Sequence, residues 1–92
     1  MSEQMGGIVV GSSLIERSSH TEFLSILGGR VRQQRDLIHM SRRVLSQRSN
    51  VSERYLAQLE SGKGNMSIGL LRKVSIALEV PLADLLEPRN SL

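Results

Sequence analysis

Ninety-two residues with 12 Lys+Arg against 9 Asp+Glu, a net charge of +3 and no cysteine describe one small domain. Its core is marginal unless helices pack well or the chain pairs. The composition excludes disulfides and thiolate metal sites, no apolar run approaches the ~20 residues of a membrane span, and the N-terminus, with Glu3 ahead of any base, lacks a secretory pattern.

A cytoplasmic protein without membrane contact is therefore expected. Phe23 and Tyr55 are the only aromatics, so the core must come from Leu, Ile, Val, Met and Ala, which suits helices. Residues 1–18, with Gly6-Gly7, Gly11 and Ser12-Ser13 around a short Ile8-Val9-Val10 run, read as a disordered leader. That run could instead pair as a strand with a partner chain. The domain proper is expected over 19–88, with 89–92 as a tail.

Ser19-His20-Thr21-Glu22 fits a capping box. The first helix then runs to about Leu37 and buries Phe23, Leu27 and Val31 at four-residue spacing. Gly28-Gly29 weakens it by roughly 1 kcal/mol per residue, so a start after Ser25 stays open. The second helix covers Arg42 to about Ser49, with Leu45 inward and Ser46 small enough for close contact. Asn50 stands where the turn wants a left-handed residue. The third runs Glu53 to Ser61, with Leu56 and Leu59 inward and Gly62 ending it. After the polar loop 62–65, a fourth runs Ile68 to Leu78 and buries Leu71, Val74, Ala77 and Leu78. Val80-Pro81 breaks the chain, and Leu82 to Leu86 forms a fifth. Five helices and no strand pattern predict an all-α, five-helix bundle.

Within it, the second and third helices share an entrance signature. Ser41 and Ser52 are each preceded by an apolar residue that can reach one five positions on, Met40 to Leu45 and Val51 to Leu56, the spacing of a hydrophobic staple. The same pattern returns at Met66-Ser67 with Leu71. Two stapled helices separated by so short a turn must cross sharply, as in a helix-turn-helix. Charge follows the same stretch. Arg30, Arg32, Arg35, Arg42, Arg43, Arg48 and Arg54 stand against Asp36 and Glu53, while the tail from Ile76 carries Glu79, Asp84 and Glu87 against Arg89. One positive face is the footprint of a nucleic-acid partner.

The segment from Leu27 to Glu87, about two thirds of the chain, resembles the small five-helix DNA-binding domain of the lambda/434 repressor-Cro (XRE) family of transcriptional regulators. The matching pieces are Leu27-Gly28-Gly29-Arg30-Val31-Arg32, Asn50-Val51-Ser52-Glu53-Arg54-Tyr55-Leu56, Leu59-Glu60-Ser61-Gly62-Lys63, Ser67-Ile68 and Ala77-Leu78-Glu79-Val80-Pro81-Leu82. Where such families usually carry glycine this chain has His39 and Asn50, which tolerate positive φ. Arg42 replaces a usual glutamine, and Met66 a usual proline. The piece from Ser52 to Gly62 with Gly64-Asn65 also resembles aerobic benzoate-degradation regulators, which fuse this domain to a shikimate-kinase-like one. That likeness implies an effector acting through a domain absent from this chain.

In a helix-turn-helix the second helix of the motif lies in the major groove. Glu53, Arg54 and Gln58 share the outward face of the third helix and are the expected base readers, for a cytosine amine, a guanine and an adenine respectively. Ser41, Arg42, Arg43, Ser52, Tyr55, Ser61, Lys63 and Asn65 are the expected phosphate contacts, with packing as the alternative role for Tyr55. By resemblance, Arg35 and Glu60 form an ion pair linking the first and third helices. The expected partners are double-stranded DNA and a second copy, since paired domains read half-sites about 34 Å apart. Val80, Leu82, Leu85 and Leu86 offer apolar surface for pairing, or else core.

No catalytic residue, cofactor or metal is expected, because His20 and His39 form no ligand or triad constellation and no phosphate loop follows a strand. The serious alternative is an antitoxin-like protein-interaction module, with DNA binding secondary. The basic N-terminal face of the second and third helices argues against it.

Overall fold

The computed structural model describes residues 19–64 and 67–87, all of whose regular structure is helical: α1 (His20–Leu37), α2 (Arg42–Ser49), α3 (Glu53–Glu60), α4 (Ile68–Leu78) and α5 (Leu82–Leu86). The expected leader at 1–18, the tail at 89–92, Asn65 and the Met66 staple lie outside the described residues.

Helix α1 starts at His20, capped by Ser19, rather than after Ser25. Ser19 Oγ accepts from the Glu22 N–H at 3.1 Å, and Glu22 Oε1 accepts from the Ser19 N–H at 3.0 Å. Two orphan donors are thus satisfied reciprocally, and the helix continues through both glycines. The reason for one of them is not local. A Cβ on Gly28 would stand 2.2 Å from the Leu59 carbonyl oxygen, so only glycine lets α1 lie this close to α3. Gly62, at φ 76°, repeats the arrangement from the other side: a Cβ there would meet the Ser25 Cα at 3.0 Å.

The core is aliphatic. Leu27 and Val31 of α1 meet Leu45, Leu56, Leu59, Leu71, Val74, Leu78 and Leu85, with Met40 and Val51 sealing the two staples. Helix α1 packs on α3 and α5, α2 on α3 and α4, and α4 on α5. Phe23, expected inside, is only half-buried, and Leu24 takes the buried position. Ala77 is likewise half-buried, while Ser75 is buried with its Oγ donating to the Arg72 carbonyl at 2.8 Å. A short donor facing its own helix can be enclosed without an unpaired polar atom.

Besides Gly62, the helix ends in the left-handed region among the described residues are His39 (φ 54°), Asn50 (φ 59°) and Glu79 (φ 62°). The first two are residues that tolerate this conformation. Glu79 has no such preference, and it terminates α4 with its N–H on the Ile76 carbonyl at 3.0 Å. Leu85 is wholly buried, and Val80, Leu82 and Leu86 are half-buried against the core. Most of the α5 surface expected to serve pairing is therefore used within the chain. Among the described residues, the large apolar side chains left exposed are Leu37, Ile38, Ile68 and Ile76.

Candidate nucleic-acid interface

The turn between α2 and α3 is fixed by short side chains. Asn50 reverses the backbone, Ser46 Oγ donates to the Val51 carbonyl, and Ser49 Oγ accepts from the Val51 N–H at 3.2 Å. Val51 is thereby drawn into the core, and Ser52 is left at the head of α3. Ser52 Oγ accepts from the Tyr55 N–H at 3.0 Å, as Ser41 Oγ accepts from the Val44 N–H at 3.1 Å at the head of α2. Each hydroxyl accepts one bond and keeps its own proton, so each can still donate to an anion. Both helix heads carry the positive end of the backbone dipole.

Helix α3 buries Leu56 and Leu59 and turns the other side to solvent. Glu53, Arg54 and Gln58 are exposed, with half-buried Ala57 among them. The Gln58 side chain lies near the loop that follows, where a Cβ on Gly64 would sit 3.4 Å from Gln58 Oε1. Arg43 and Lys63 are exposed. Tyr55 is half-buried against the core, and its hydroxyl accepts from the Ser67 N–H at 3.2 Å, tying α3 to the head of α4. Ser61 Oγ donates to the Ala57 and Gln58 carbonyls at 2.9 and 3.1 Å. Its single proton is thus engaged, which leaves it a poor phosphate donor.

Arg35 and Glu60 meet side by side. Arg35 Nε donates to Glu60 Oε2 at 2.8 Å, Nη2 donates to Oε1 at 3.0 Å, and Nη1 donates to the Met40 carbonyl at 2.9 Å. The side chains are 13% and 6% exposed. The Glu60 carboxylate makes the Arg35 guanidinium hold its proton more tightly than a free one, against the opposing effect of burial. Through this pair the end of α3 is tied to α1, and Arg35 also holds Met40, two residues ahead of α2.

Two members of the basic stretch are structural. Besides Arg35, Arg30 donates from Nε to the Asp84 carbonyl at 3.0 Å and joins α1 to α5. Arg32, absent from the expected site, lies with Arg35, Arg42, Ala57, Glu60 and Ser61 around a polar cleft of about 240 Å³. Its three-residue spacing from Arg35 puts the two on one side of α1, a signal that the charge count alone did not resolve. Among the described residues no His, Cys, Asp and Glu cluster could hold a metal ion, and no helix is long and apolar enough to cross a membrane.

A family model described as helix-turn-helix matches residues 31–85. Two relatives, each described as an uncharacterized HTH-type transcriptional regulator and drawn from two strains of Mycobacterium tuberculosis, are 37% identical over 70 residues. The match covers 70% of this chain and 50% of each relative, so the chain spans about half the length of the curated relatives it matches. Among solved structures, the restriction-modification controller protein C.AhdI from Aeromonas hydrophila is similar at a TM-score of 0.66 and 27% identity, over 67% of this chain and 94% of that one.

Proposed function

The chain belongs to the helix-turn-helix family of transcriptional regulators, of the XRE type, and on that premise we propose that it reads a specific DNA site with α3 in the major groove, as a homodimer on paired half-sites. Its relatives and fold are those of regulators rather than enzymes. The observation that carries the reading is the outward side of α3. Glu53, Arg54 and Gln58 are exposed there, beside two helix heads whose capping serines retain a donor proton. Arg54 can grip a guanine by its two edge acceptors, Gln58 an adenine, and Glu53 a cytosine amine. Ser41, Arg42, Arg43, Ser52 and Lys63 hold the backbone and set the register without reading sequence. DNA as a partner puts the protein in the cytoplasm. An effector acting through a further domain belongs to the same proposal, since the relatives extend well past the matched stretch.

Selection of bound duplexes from random DNA, followed by titration across salt, tests this. The expected outcome is a two-fold symmetric site and a log–log salt slope of about 0.9 per phosphate contacted. Random duplexes bound no more weakly than selected ones, or a flat slope, would instead favour the interaction-module reading.

A further inference from the structure

The cleft between α1, α2 and α3 holds three guanidinium groups and a single carboxylate. Arg35 occupies that carboxylate through two direct bonds, at 2.8 and 3.0 Å. Arg42 comes no closer to it than 3.9 Å from Nε, beyond hydrogen-bond length, and its side chain is 45% exposed. Arg32 is exposed, and among the described residues it makes no hydrogen bond or ion pair. Three guanidinium groups against one carboxylate leave the cleft a net excess of two positive charges. Ala57 presents only a methyl group there, and the Ser61 hydroxyl proton is turned into its own helix. Any anion entering would be held by arginine alone.

We propose that Arg32 and Arg42 together clamp one backbone phosphate of the bound duplex, on the α1 side of α3. The inference rests on the DNA-binding reading above and adds a residue of α1 to the contact surface. A phosphodiester carries one negative charge and several acceptor oxygens, which suits two guanidinium forks approaching from different helices. The Arg35–Glu60 pair has a second use in this arrangement. By taking both carboxylate oxygens at hydrogen-bond length, Arg35 leaves Arg42 only a longer 3.9 Å approach to Glu60. A phosphate held from both α1 and α2 sets how deeply α3 enters the groove, which a contact from α2 alone leaves free to rock.

The test titrates the wild-type chain and Arg32→Ala on a selected duplex and on an unrelated one, across salt. It then repeats the titrations with single neutral methylphosphonate linkages scanned along each strand. Arg32→Ala should lose about three- to tenfold in affinity on both duplexes alike, with a salt slope smaller by about one. One methylphosphonate position that weakens the wild type should weaken Arg32→Ala clearly less, since only Arg42 still holds that phosphate, and Arg32→Gln should behave as Arg32→Ala does. An unchanged slope, a loss confined to one sequence, or identical methylphosphonate profiles would overturn the clamp while leaving DNA binding intact. A wild-type chain that binds no duplex in a salt-dependent way would instead overturn the DNA-binding reading, and the clamp with it.

Discussion

Arg35→Met and Glu60→Met, singly and together, probe the joint that orients α3. Each single change breaks two charge-assisted bonds and leaves one nearly enclosed charge without its partner. Breaking a fully buried pair from one side costs about 3–5 kcal/mol. The present pair should fall slightly lower, because both orphans have a second neighbour. Glu60 retains Arg42 at 3.9 Å, and Arg35 retains the Met40 carbonyl and Asp36 at 3.9 Å. About 2–4 kcal/mol for each single variant is expected, a large part of the roughly 3–10 kcal/mol available to a domain of this size. The double variant leaves no orphaned charge and fills the space with two flexible apolar chains. It should be less destabilised than the sum of the singles by at least about 2 kcal/mol. Urea melts of the four proteins measure this, given two-state unfolding. Additive losses, or singles within about 0.5 kcal/mol of wild type, would show that Arg35 and Glu60 act as independent surface charges.

Gly28→Ala drives a methyl into the Leu59 and Glu60 backbone and should lower stability by about 2 kcal/mol or more. Gly29→Ala, with nothing within 4 Å of the new Cβ, should raise it by about 0.5–1 kcal/mol; paired thermal melts separate the two. Glu79→Gly relieves a left-handed residue at φ 62° and should raise stability by about 0.5–1 kcal/mol, with a lowered midpoint contradicting the argument. Arg42→Ala should weaken binding to all duplexes alike and reduce the salt slope by about one. A loss confined to one operator would make Arg42 a reader rather than a holder.

Much of the architecture was legible because its determinants are local. The Ser19–Glu22 capping box, the serine caps at 41, 52 and 67, and the left-handed turn at Asn50 each depend on a few neighbouring residues whose chemistry admits few alternatives. What stayed hidden depends on contacts across the bundle. Gly28 looked like a weak point in α1 until its closeness to Leu59 gave it a reason. Glu79 carries no mark of a left-handed cap. Arg35 and Glu60 stand 25 residues apart, so only resemblance could suggest their pairing. The site shows the same division. Exposure of Glu53, Arg54 and Gln58 follows from helical periodicity around Leu56 and Leu59. The Tyr55 hydroxyl on the Ser67 N–H and the position of Arg32 follow from how helices lie against one another.

The most direct test of α3 as the reading element compares the sites selected from random DNA by the wild-type chain and by Arg54→Ala. The account predicts the same symmetric site with preference relaxed at one base pair per half-site, and an affinity lower by about 1–3 kcal/mol on the original sequence. Identical selected sites from both proteins would contradict it.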